Sequence, residues 1–218
     1  GTKDGEKLSS SVSDENVVLV KNAGKLTLTN VTLNKAGDEE NGDETDFYGV
    51  NAIAAVKSGA KLLISDSSLY SDARGANALF ASGSGTDGSS TASTIYANNV
   101  DITTSKNNSR GLDATYGGVI VAANMDISTS GEHCAGVATD RGGGYISVDS
   151  SAIETNGGGS PILYSTGTIE VSNVNGTANG SQLVGMEGFN TVRVTNSVLC
   201  STSDAQDDVN NGVILYQS

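Results

Sequence analysis

Gly24-Lys25-Leu26-Thr27-Leu28-Thr29-Asn30-Val31-Thr32-Leu33, GKLTLTNVTL, alternates into an Asn turn and then alternates again. Six echoes follow: KLLISDSSL from Lys61, STIYANNVDI from Ser93, GVIVAANMDI from Gly118, GYISVDSSAI from Gly144, GTIEVSNVNG from Gly167 and NTVRVTNSVL from Asn190. Their turn residues align as Asn30, Asp66, Asn99, Asn124, Ser150, Asn173 and Asn196. Four positions earlier stand Leu26, Leu62, Ile95, Ile120, Ile146, Ile169 and Val192, and two earlier Leu28, Ile64, Ala97, Ala122, Val148, Val171 and Val194. Three positions later come Leu33, Leu69, Ile102, Ile127, Ile153, Gly176 and Leu199, so that 20 of these 21 sites are apolar. The sites between them mix Thr, Ser, Tyr, Glu and Arg. This is period-two alternation, one face inward and one outward, repeated in register.

The anchors are separated by 36, 33, 25, 26, 23 and 23 residues. A minimal repeat of that size with insertions matches the coils of a solenoid. Short second strands, such as NAIAAV, NALFA, PILYS and GVILY, precede the Gly turns. The expected fold is all-β: a right-handed parallel β-helix of about seven to eight coils, one domain over residues 1–218. Coils stacked ~4.8 Å apart give a rod core of roughly 30–35 Å. An antiparallel sandwich leaves the in-register Asx residues unexplained, and the strict hexapeptides usual in a left-handed β-helix are absent.

The Asx residues have a physical role at such turns. Their side chains hydrogen-bond along the stack, and Asn tolerates tight-turn dihedrals. YGVNA, RGANA and RGLDA suggest a second ladder, Asn51 on Asn77 on Asp113, with Arg74 above Arg110. Glu170 and Arg193 share an outward site in neighbouring coils and are expected to pair. The insertions 34–48, NKAGDEENGDETDFY, and 83–92, GSGTDGSSTA, lack helical periodicity and read as loops. Cys134 and Cys200 lie three coils apart, ~14 Å, so both are expected to be free thiols.

The chain carries 12 Lys and Arg against 25 Asp and Glu, a formal charge of −13. Such a surface repels phosphate backbones, so nucleic acid is not expected as a partner. No apolar run reaches the ~20 residues of a membrane span, so no membrane insertion is expected. The polar opening GTKDGEKLSS has no signal-peptide character.

RGLDATYGG, TDRGGG and GGGSPILYSTG, set between Val/Ile-Asx coils, resemble the right-handed parallel β-helix (pectin-lyase-like) superfamily. They are most similar to secreted clostridial-type carbohydrate-binding members, over roughly residues 16–216. The resemblance implies an extracellular or cell-surface protein binding a cellulose- or pectin-like polysaccharide with calcium. The closing GVILYQS reads as a coil begun and not finished, so the chain is expected to be part of a longer protein. The clustered Asp with GHG and RIK motifs of the family's polygalacturonases is missing, and Asp207-Asp208 lies in a terminal loop, so catalysis is not expected. A structural or adhesive rod presenting residues 34–48 to a surface-protein partner is the alternative function.

The candidate binding patch is mid-rod, with Asp113, Tyr116, Arg141, Tyr164 and Glu187 on adjacent coils. Tyr rings stack on sugar faces, and Arg and carboxylates hydrogen-bond hydroxyl or uronate groups. Equally, Asp113 fits the Asx ladder and Arg141 can pair with Glu187. Candidate calcium ligands are Asp43 and Asp46 in the acidic loop, and Asp113 and Asp140 at a coil junction, because calcium takes six to eight oxygens. A merely solvated acidic loop is the other reading. The outward column Thr27, Leu63, Tyr96, Val121, Ser147, Glu170, Arg193 is no regular Thr lattice, which sets ice binding aside.

Overall fold

A computed structural model describes residues 1–83, 91–202 and 212–217. Most of the second insertion and the Asp207-Asp208 pair lie outside the described residues. The chain winds into a parallel β-solenoid of about eight coils whose rungs join two sheets. One sheet runs in the order β1(Thr2–Asp4), β4(Lys25–Thr29), β7(Lys61–Ser71), β9(Thr94–Thr104), β11(Gly118–Thr129), β13(Gly144–Asp149), β16(Thr168–Ser172), β19(Thr191–Thr195). Beyond the anchors it is extended by β2(Lys7–Ser10), β5(Thr32–Lys35), β14(Ala152–Thr155), β17(Asn175–Ala178) and β20(Val198–Ser201). The second sheet stacks β3(Val18–Val20), β6(Ala54–Val56), β8(Leu79–Ser82), β10(Leu112–Thr115), β12(Val137–Thr139), β15(Leu163–Ser165), β18(Val184–Glu187) and β21(Val213–Tyr216).

The register is the one the echoes align to. Leu26, Leu62, Ile95, Ile120, Ile146, Ile169 and Val192 pair in succession, every pair parallel. The five central members are fully buried, while Leu26 and Val192 at the ends are half-buried. All seven anchors adopt left-handed φ values, +49° to +55°. That explains the Asx preference, since Asn and Asp enter this region more readily than other non-glycine residues. Stacking bonds join Asn99 Nδ2 to Asp66 Oδ1 at 2.8 Å and Asn196 to Asn173. Elsewhere the amide reaches the residue before the neighbouring anchor, as in Asn124 to Asn98 and Asn173 to Asp149, both 2.8 Å. Glu170 and Arg193 form the expected cross-coil ion pair.

Gly176, the one non-apolar aligned site, has a packing reason. A Cβ there would meet Ile162 Cδ1 and Leu199 Cδ2 at 2.9 Å each, so neighbouring side chains already fill the column.

The opening GTKDGEKLSS joins the stack as well: β1 pairs with β4, β2 with β5, and Gly5 at φ +68° takes the anchor's place opposite Asn30. Here Lys3 sits opposite Leu28 and pairs with Glu6 at 2.7 Å. Two expectations are corrected. The insertion 34–48 contains a helix, α1(Gly42–Tyr48), capped by Asn41, whose side chain accepts from the Glu44 N–H. Two turns are too short to display periodicity. The legible signal was the cap itself, Asn followed three residues later by Glu. In the second ladder, Asp113 stands in register with Phe80, not Asn77. Asn77 nonetheless reaches Asp113 Oδ2 at 3.0 Å, whereas Asn51 donates to the carbonyls of Gly37 and Arg74.

Both cysteines are free. Cys134 occupies a buried serine column: the Ser109 N–H donates to its Sγ at 3.1 Å, and its own N–H donates to Ser160 Oγ at 2.9 Å. Burial pushes the thiol up to about 11. Cys200 is exposed. A thiol-reactive dye should label Cys200 promptly and Cys134 at least about a hundredfold more slowly until the protein unfolds. Equal labelling of the folded protein would contradict the serine-column placement.

Candidate functional site

The insertion does not project from the rod; it lies across the second sheet. Three of its acidic residues pair with rod cations: Asp38 with Lys106, Glu39 with Arg74 and Asp46 with Arg110, each at 3.1 Å. Its aromatic end follows the same path. The Phe47 ring lies under the Arg141 guanidinium, 3.7 Å from its centroid, and Tyr48 stacks on Tyr116 with centroids 5.4 Å apart and planes 12° from parallel. Thr115 Oγ1 donates to the Phe47 carbonyl at 3.0 Å. At the helix end, Gly49 at φ +60° packs where a Cβ would sit 2.3 Å from the Phe80 ring. Cation–π and stacking contacts of this kind contribute roughly 0.5–2 kcal/mol each.

Beneath the helix lies Arg110. It meets Asp46 and Asp140 at 3.1 Å and Asp113 at 3.6 Å. Burial opposes its charge, but Asp113, Asp140 and Asp46 overcome that and hold the guanidinium above its ordinary value. Asp113 is wholly buried, and burial raises its carboxyl well above the usual range against the opposing pull of Arg110. Its Oδ1 has no hydrogen-bond partner. Burial likewise raises Asp140, again opposed by Arg110.

Three of the four expected calcium ligands, Asp46, Asp113 and Asp140, therefore do converge, but on a guanidinium. Asp43 stands in the exposed first turn of α1. Among the described residues no group of three or more His, Cys, Asp or Glu is arranged to hold a metal ion.

The expected sugar-binding residues are divided. Asp113 is sealed beneath Arg110, and one face of Tyr116 is covered by Tyr48. Tyr164 and Asp140 line a polar cleft of about 370 Å³ that crosses successive coils, together with Asp46, Arg110, His133, Gln182 and Tyr216. Arg141 and Glu187 border a neighbouring shallow groove that shares Asp140. Arg141 is held over Phe47, and Glu187 Oε2 accepts from the Tyr164 hydroxyl at 3.0 Å. Tyr216 donates in turn to the Tyr164 oxygen at 3.3 Å. Burial, then the bonds to Tyr216 and Glu187, raise the Tyr164 phenol, so it stays neutral and a donor. Gln182 and Tyr216 escaped the sequence reading. The signal for Tyr216 was its place in the second-strand series, one coil beyond Glu187.

Comparison with protein-family models, curated proteins and solved structures finds no match to this chain.

Proposed function

We propose that this β-solenoid is a non-catalytic, extracellular or cell-surface polysaccharide-binding protein that seats its glycan in the cleft along the second sheet. One observation carries the proposal. Tyr164, Tyr216 and Gln182, together with Arg110 and its partners Asp46 and Asp140, line a single open cleft that runs across coils. Neutral hydroxyl donors and aromatic rings beside anchored carboxylates suit sugar hydroxyls and ring faces. The phrases resembling secreted pectin-lyase-like carbohydrate-binding proteins support the same assignment. Cleavage is not part of the proposal, in which Asp46 and Asp140 serve as ion-pair partners of the Arg110 guanidinium. The proposal does not invoke calcium in this cleft, where Arg110 already pairs with Asp46 and Asp140.

The test is retention on insoluble cellulose and titration with soluble neutral polysaccharides, with and without a chelator. Tyr164→Ala should weaken binding about tenfold or more, the equivalent of about 1.4 kcal/mol. Chelator should leave retention unchanged, and no reducing or unsaturated sugars should appear from pectin. No retention on any polysaccharide would end the proposal.

A structural or adhesive rod with a protein partner is the second reading. The observation favouring it is the outward stripe of Leu63, Tyr96 and Val121, 45%, 46% and 38% exposed. Folding of the insertion onto the rod argues against its display to such a partner.

A further inference from the structure

Successive coils repeat a basic motif that the acidic composition conceals. Val20-Lys21-Asn22-Ala23-Gly24-Lys25-Leu26 recurs as Val56-Lys57-Ser58-Gly59-Ala60-Lys61-Leu62. The two stretches stack in register. Val20 pairs with Val56 and Lys25 with Lys61, while the Lys57 N–H donates to the Val20 carbonyl at 2.9 Å. Lys21 therefore lies beside Lys57, and Lys25 beside Lys61, one rung or ~4.8 Å apart along the rod. The turn between each lysine pair contains two consecutive left-handed residues, Asn22-Ala23 and Ser58-Gly59, with φ between +54° and +72°. A left-handed Ala is strained, which marks a turn held by its surroundings.

Like charges directly opposite on neighbouring strands are unfavourable. Among the described residues, none of these four lysines forms an ion pair with a carboxylate, although the chain has 25 Asp and Glu. Lys21, Lys25 and Lys61 are exposed and Lys57 is half-buried. Burial pulls the Lys57 ammonium below the usual lysine range; Glu44 opposes the shift and Lys21 adds to it. The corner gathers four lysines, with Glu44 facing Lys57, on a chain of formal charge −13.

We propose that this two-by-two lysine array binds an anionic glycan chain, one whose carboxylate or sulfate groups recur along its length. The electrostatics select a slender ligand. Attraction to the array extends about one Debye length, ~8 Å at physiological salt, beyond which the acidic rod repels a polyanion. A duplex or a bilayer is too broad to meet the lysines alone. The repeated motif contains no aromatic residue to stack on bases, so it lacks the platform that single-stranded nucleic-acid sites use. Ammonium groups act as point charges, suited to anions spaced along a flexible chain. The array is separate from the cleft and does not depend on it.

The test titrates the full chain with polygalacturonate and with heparin at low and physiological salt, alongside a single-stranded oligonucleotide. Lys25→Gln/Lys61→Gln and Lys21→Gln/Lys57→Gln should each lower affinity for the bound polyanion about tenfold and flatten its salt dependence by about two released counterions. Tyr164→Ala, which probes the cleft, should leave this binding unchanged. Circular dichroism checks the fold of each variant, and Lys61→Glu gives a charge reversal expected to abolish binding outright. Preference for polygalacturonate assigns carboxylates, and preference for heparin assigns sulfates. Binding of neither, insensitivity to the lysine variants, or equal affinity for the oligonucleotide would overturn the proposal.

Discussion

Arg110→Met is expected to destabilise the fold at neutral pH by about 3–5 kcal/mol, because removing one partner of a buried ionic cluster leaves the others uncompensated. At ~2–4 °C per kcal/mol for a domain of this size, Tm should fall by roughly 6–20 °C. The effect should depend on pH in a definite direction. Asp113 already titrates above its unfolded value, chiefly through burial. The native state therefore holds that proton more tightly than the unfolded chain does. Stability from this group is present in full below the unfolded value, near 4, and is lost as pH rises through the raised folded one. Losing the guanidinium raises Asp113 and Asp140 further, since Arg110 is the largest influence lowering both. The deficit of Arg110→Met should thus be small in mild acid and large at neutral pH. Adding Asp113→Asn should restore part of the loss and flatten the pH profile. Thermal melts of the single and double variants across that range check the prediction, and a deficit independent of pH would sink it.

Ile120→Ala tests the rod instead of the site. Ile120 is fully buried between Ile95 and Ile146 in the central rungs. Truncating a buried aliphatic side chain costs about 2–5 kcal/mol, because the lost burial adds to the cavity left behind. A solenoid coil has only its two neighbours to close that space, so relaxation is limited. Val121→Ala, one residue along and facing outward, should change stability by less than about 0.5 kcal/mol. Denaturant unfolding of the pair would reveal the alternation as an energetic difference, and equal losses would contradict the register.

The repeat was legible because each coil restates the same constraints. An anchor in the left-handed region, apolar residues at fixed offsets before and after it, and a partner one coil away recur whichever echo is read. Even the outward pair Glu170 and Arg193 followed from alignment alone. Where alignment rested on local likeness without the strand pattern, it slipped: RGANA and RGLDA look homologous, yet their Asx residues are offset by three positions.

The candidate site was legible only in part. Asp46 in the acidic loop and Asp113 with Asp140 at a coil junction were read as separate candidates, and the sequence could not say that all three meet on Arg110. Nor could it distinguish an acidic loop that is solvated from one docked on Arg74, Lys106 and Arg110.

Sequence alone determined the coil, its register and its buried columns, because a periodic pattern specifies contacts between residues one repeat apart. Only the tertiary structure decided what lies over the second sheet. The insertion occurs once, so no echo states its partners, and its contacts include ones 64 residues apart, Asp46 with Arg110, and 69 apart, Glu39 with Asn108. Those distances close only when the coils have already stacked. The cleft, to which the docked insertion contributes Asp46, is therefore a product of the folded rod.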